Sequence, residues 1–117
     1  MNDTEENMKM SVGLYKYDGN IYDDAKEIIS ESIASQSMYE KYLKPAIKEL
    51  HIVYFQDGAE IRKKDLQRAT TEGKMLIQWI KDNVQGDDMT YLLSRLQKIQ
   101  SLIPDLLVND DDVLYIF

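Results

Sequence analysis

The chain has no cysteine. Disulfides, thiolate metal sites and cysteine nucleophiles are therefore excluded. No apolar run approaches the roughly 20 residues that a membrane-spanning helix needs. The opening stretch Met1-Asn2-Asp3-Thr4-Glu5-Glu6 is acidic and has no apolar h-region, so no secretory signal is read there and a cytoplasmic location is expected. Histidine occurs once, as His51 between Leu50 and Ile52, the pattern of a packed or surface side chain rather than of a catalytic base. No GxSxG elbow, GxxxxGKS/T loop, GxGxxG turn or HExxH pair occurs. No carboxylate pair stands in contrasting polar and apolar surroundings that would set an acid against a base. The stretch Asp18-Gly19-Asn20-Ile21-Tyr22-Asp23 lacks the glycine and the distal glutamate of an EF-hand loop. No enzyme activity, metal or cofactor is expected.

What the chain does have is charge sorted along its length. Residues 1–40 carry nine acids and three bases, residues 41–81 nine bases and five acids, and residues 82–117 seven acids and two bases. The blocks are thus −6, +4 and −5, within a total of −7. Overall acidity opposes wholesale binding to DNA or to an anionic membrane. It leaves the middle block to meet nucleic acid locally, or the acidic ends to meet a basic partner. Apolar residues at 44% and charged residues at 30% describe a folded globule, because a disordered chain is poorer in apolar groups. A length of 117 residues fits one domain with a single core.

Along the chain, residues 1–11 read as a flexible acidic N-terminus and residues 12–117 as a single helical domain. Residues 14–22 alternate around Asp18-Gly19, a hairpin pattern. The competing assignment is an irregular lead-in whose Asn20 caps the next helix. Ala25, Ile28, Ile29, Ser32 and Ile33 share one helical face and predict a first helix over residues 22–35. Asp23 and Asp24 fall in its first turn, where the helix dipole favours negative charge. Ser37-Met38-Tyr39-Glu40 fits a capping box for a second helix, kinked or restarted at Pro45. The run Ile52-Val53-Tyr54-Phe55 has a strand as its alternative, and Asp57-Gly58 ends the segment either way.

Leu66, Ala69, Gly73, Leu76, Ile77, Ile80 and Val84 form one stripe and predict a third helix over residues 59–84. Gly73 inside that stripe points to close approach of a neighbouring helix. A fourth helix follows Gly86, capped by Asp88, with Met89, Leu92, Leu93, Leu96, Ile99 and Ile103 on its apolar face and Pro104 near its end. The tail Val113-Leu114-Tyr115-Ile116-Phe117 is apolar. Burying each large side chain is worth about 1.5–3 kcal/mol, so the tail is expected to dock as a strand or a plug, on this chain or on another.

Three groups of residues are candidates for contact. Arg68, Met75 and Trp79 lie opposite the apolar stripe of the third helix. They fit either a helix sandwiched inside the bundle or an exposed anchor patch of the residue types enriched at binding hot spots. Lys63, Lys74 and Lys81 share one flank of that helix, which suits a phosphate backbone or a solvated face paired with acids. The acidic groups Glu5-Glu6, Asp23-Asp24, Asp87-Asp88 and Asp110-Asp111-Asp112 imitate a row of phosphates if folding gathers them, and otherwise serve as caps and for solubility. Eight tyrosines add amphipathic contact area, in the core or on a surface.

The expected fold is mainly α: a small four-helix-bundle-like domain, with a short N-terminal hairpin or a C-terminal strand as additions. The expected function is that of a non-catalytic, protein-binding regulator that occludes its partner, by fold-level analogy with inhibitors, immunity proteins, antitoxins and chaperones. Its anchors are Arg68, Met75 and Trp79, or Tyr115 and Phe117 of the tail. The alternative is a helical accessory subunit of a nucleoprotein complex that contacts the backbone through Lys63, Lys74 and Lys81. A homo-oligomer in which basic centres meet acidic ends is a third arrangement. No membrane partner is expected.

Overall fold

The computed structural model describes residues 10–18 and 26–117. The expectations for the acidic lead-in, the Asn20 cap, the Asp23-Asp24 turn and the calcium-like loop fall wholly or mostly outside those residues. Among the described residues the fold is α+β: a four-stranded antiparallel sheet with three helical segments. This overturns the four-helix bundle.

Strands β1 (Ser11–Asp18) and β2 (Lys26–Ser35) form a long antiparallel pair. A hairpin-like pair is thus present, but the second strand is Lys26–Ser35 rather than the residues directly after Gly19, and over 26–35 a strand replaces the expected first helix. The misleading helical spacing has a physical source. Ile28 and Ile33 have no partner in the β1–β2 register, which shifts beside each of them. Such bulges break the strict two-residue alternation by which a strand is read. Ile33 and Ala34 are both buried although adjacent.

Ser35 ends β2 and caps the next element, its Oγ accepting from the Met38 N–H at 3.3 Å. The cap is therefore Ser35, two residues before the expected capping box. Helix α1 runs through Gln36–Met38, a π-turn at Tyr39–Leu43, and Lys44–Leu50. Pro45 sits in the first turn of the last piece, the restart that its missing N–H demands. The wider π-turn directly precedes it. His51 closes α1 in the left-handed conformation, φ 57°, its N–H reaching the Ile47 and Lys48 carbonyls.

Residues 52–55 are neither helix nor strand but a turn. A buried carboxylate holds it. Glu72, only 4% exposed, accepts from the Val53 N–H at 3.0 Å, from the Tyr54 N–H at 2.7 Å and from Arg68 Nε at 3.3 Å. Ile52 and Phe55 are buried on either side of those two amides.

The expected third helix is shortened at its start. Glu60–Arg62 form strand β3, Lys63–Asp65 a 3-10 turn, and only Leu66–Asn83 are the helix, α2. Face assignments before Leu66 lapse with that correction. The stripe beyond it holds, with Ala69, Gly73, Leu76 and Ile80 buried. Helix α3 (Gly86–Leu106) buries Leu92, Leu96, Ile99 and Ile103, and Pro104 lies in its last turn. Its first residue follows Gln85, and Asp88 instead accepts from the Tyr42 hydroxyl at 2.6 Å. Gln100 of α3 lies directly over Gly73 and donates to the Thr70 carbonyl at 2.6 Å. A Cβ at Gly73 would collide with that side chain, so the two helices meet closely there.

The tail docks on its own chain. Val113–Ile116 form β4, which lies between β1 and β3 in the order β2-β1-β4-β3. Leu14 pairs with Ile116, and Ile61 with Leu114. Val12, Leu14, Ile61, Leu114 and Ile116 point into the core at 0% exposure. Lys16 lies on the same face of β1 but at its far end. Its Nζ donates to the last-turn carbonyl of Leu106 at 2.8 Å and pairs with Asp112 at 3.2 Å. No helix among the described residues is long and apolar enough to cross a membrane.

Removing the Glu72 carboxylate orphans two backbone donors. Glu72→Ala is expected to lower unfolding free energy by about 3 kcal/mol, measured by urea denaturation. Hydrogen exchange should show the Val53 and Tyr54 amides losing protection first; unchanged protection there would contradict the assignment.

Candidate functional site

The helices cover one face of the sheet. On the opposite face the alternation along β1 and β4 places Gly13, Tyr15 and Tyr17 beside Tyr115 and Phe117. Tyr15 and Phe117 stack with centroids 4.5 Å apart at 10°. Tyr17 stacks on Tyr15 at 6.4 Å and meets Tyr115 edge-on at 6.0 Å. These four rings form one continuous aromatic surface, with Phe117 43% exposed at its end. Gly13 is required beneath it. Its N–H and carbonyl pair with Phe117 at 2.8 and 3.1 Å, and a Cβ there would lie 3.2 Å from the Tyr15 ring and 2.9 Å from the Glu31 carbonyl. The Tyr15 ring fills the space that a side chain at 13 would occupy.

The rim of this face is polar. Glu60, opposite Tyr115 in the register, pairs with Arg62 at 3.1 Å. Ser30 stands opposite Tyr15, and Glu27 opposite Tyr17. Burial, the Glu27 charge and the neighbouring tyrosines raise the Tyr17 pKa above its ordinary 10.0. The Tyr17 phenol is therefore neutral at physiological pH, beside a rim of Ser30, Glu27 and the Glu60–Arg62 pair.

Of the sequence-derived anchors, Tyr115 and Phe117 belong to this surface. Arg68, Met75 and Trp79 do not. They lie on α2, in the helical layer behind the sheet, and two of the three have internal roles. Arg68 pairs with Glu72 and sits 5.7 Å from the centre of the Tyr54 ring. Trp79 is half-buried and its Nε1 donates to Glu49 of α1 at 3.1 Å. Met75 is 38% exposed, and the Arg68 side chain, despite its pairing, 60%. Lys63 is not on the helix with Lys74 and Lys81; it sits in the 3-10 turn, 3.7 Å from Asp110.

Four further tyrosines work as pins. The Tyr39 hydroxyl accepts from the Asp57 N–H at 2.9 Å, and the Tyr91 hydroxyl accepts from the Ser35 N–H at 2.9 Å. Tyr42 donates to Asp88, and Tyr54 donates to Asp65 at 2.8 Å. Asp65 also accepts from the Arg62 N–H at 3.0 Å. Burial works against its charge, but that amide, the Tyr54 hydroxyl and the Lys64 and Arg62 cations together hold its pKa below 3.8. Donation to Asp65, followed by burial, raises Tyr54 above 10.0.

His51 lines an open groove of about 630 Å³ between α1 and the following turn, with Lys44, Lys48 and Asp57. Its imidazole makes no hydrogen bond to another described residue. Among the described residues no group of three or more histidines, cysteines and carboxylates is placed to hold a metal ion. No family model, curated protein or solved structure matches the chain.

Tyr15 and Tyr17 were missed because β1 carries no sequence mark that it pairs with the tail. The Asp18-Gly19 turn signal was the nearest clue. Two outcomes follow from this geometry. Gly13→Val pushes the Tyr15 ring off its place and is expected to destabilise the protein by about 1–3 kcal/mol, read from urea midpoints; a neutral change would disprove the close contact. Asp65 contributes stability above its unfolded pKa, and this is lost as pH falls through its lower folded value. Urea midpoints should therefore drop on acidification below 3.8, and more gently in Asp65→Asn.

Proposed function

We propose that the protein is a non-catalytic, cytoplasmic, protein-binding regulator that acts by occluding its partner, and that it docks through the aromatic face of the sheet. The observation that carries this is the continuous surface of Tyr15, Tyr17, Tyr115 and Phe117 on the face away from the helices. Aromatic side chains are enriched in interface cores because they bury large areas at low entropic cost. The sheet beneath them fixes their positions before binding, which lowers the ordering cost. Net charge of −7 and Glu27 at the rim favour a partner with a basic surface, mainly through faster encounter. The analogy with small helical inhibitors falls with the helical bundle, so occlusion rests on the face alone.

The test is affinity capture on the intact protein, followed by measured affinities for the captured partner. Phe117→Ala should weaken binding by roughly 2 kcal/mol or more while leaving the circular dichroism spectrum unchanged. Met75→Ala should leave binding intact. If Phe117→Ala and Tyr15→Ser both keep full affinity, the sheet face is not the docking site. Loss with Met75→Ala alone would move it to α2.

A further inference from the structure

Residues 82–117 carry only two bases, Arg95 and Lys98. Both line one pocket of about 340 Å³ at the seam of α3 and β2, with Glu31, Ser32, Ser94 and Ile99. Arg95 and Lys98 lie three residues apart on α3, which places them on one side of the helix.

Arg95 is held in place before any ligand arrives. Its guanidinium lies 3.8 Å from the centre of the Tyr91 ring. That ring is pinned in turn by the Ser35 N–H at the end of β2. Yet Arg95 Nε is buried with no hydrogen-bond acceptor, and among the described residues no carboxylate pairs with this guanidinium. With the Nε side enclosed, a guanidinium fixed on a ring and unpaired with any described carboxylate keeps its terminal N–H groups for an anion in the pocket. Lys98 pairs with Glu31 at 2.9 Å but remains 60% exposed. Ser94 already donates to the Tyr91 carbonyl at 3.1 Å, and Ser32, opposite Gly13 in the register, borders the pocket from the edge strand. The bulge at Ile33, next to Ser32, turns the strand beside the pocket.

We infer that this pocket binds a phosphate-class oxyanion, with Arg95 supplying a preoriented guanidinium and Lys98 a second positive charge. Two cations against one carboxylate leave the lining positive within an acidic block. A dianion gains more from that than a monoanion. Glu31 competes with the ligand for Lys98. The site lies at the edge of the sheet and does not depend on the aromatic face.

The test is titration of the intact, isotope-labelled protein with inorganic phosphate at low ionic strength, following the Arg95 Nε–H resonance by NMR. A saturable shift of that resonance is expected, with acetate binding more weakly. Arg95→Lys keeps the charge but loses the fork, and should weaken phosphate roughly tenfold. Glu31→Gln should tighten it, an effect that a merely structural role for Arg95 would not produce. Lys98→Gln, at an exposed side chain, decides the matter if Arg95→Lys fails to fold. No saturable shift, or unchanged affinity in Lys98→Gln and Glu31→Gln, overturns the proposal.

Discussion

Insertion of β4 between β1 and β3 is the contact on which the rest of the molecule depends. Both of its edges are bonded: Phe117 and Gly13 exchange two hydrogen bonds on one side, while Ile116 meets Gly58 and Ala59 on the other. Without β4, the three residues of β3 have no partner and β1–β2 is an isolated pair, which is marginal in water. The same strand supplies Leu114 and Ile116 to the core and Tyr115 and Phe117 to the opposite face. Core and candidate surface are thus two sides of one element. Such non-local pairing makes closure entropically demanding and slows folding relative to a helical bundle.

Around that sheet, polar groups fix what apolar packing leaves adjustable. Glu72 holds the turn after α1, and tyrosine hydroxyls tie α1 to α3, β2 to α3, and the turn at Asp57 to α1. Hydrogen bonds inside a poorly polarisable interior specify geometry because leaving them unmade is unfavourable. The tyrosines therefore divide by task. Tyr39, Tyr42, Tyr54 and Tyr91 spend their hydroxyls internally, while Tyr15, Tyr17 and Tyr115 combine on the sheet face.

The sorted charges largely find each other. Lys16 meets Asp112, Lys63 meets Asp110, and Lys98 meets Glu31, each pair joining distant parts of the chain. The two more exposed pairs, Lys63–Asp110 and Lys98–Glu31, add little stability individually. Only Lys63 among them belongs to the basic block, and Arg95 stands apart because no carboxylate among the described residues pairs with it.

Helices over Leu66–Asn83 and Gly86–Leu106 were legible in the sequence because a helix satisfies its backbone locally and repeats its apolar stripe every three to four residues. Gly73 was legible for the same reason, as a gap in that stripe. The apolar tail was legible as something that must be buried. Its place as a central strand was not, because pairing partners leave no mark at short range. Residues 60–62 look helical until β4 offers them hydrogen bonds, and residues 26–35 look helical because two bulges scramble their alternation. Composition and apolar spacing by themselves determined a folded acidic domain with a helix on each side of Gly86, the first of them read from residue 59. Only the tertiary structure decided the sheet, the aromatic face and the Arg95 pocket, since each joins residues whose backbone groups find partners far away in the chain.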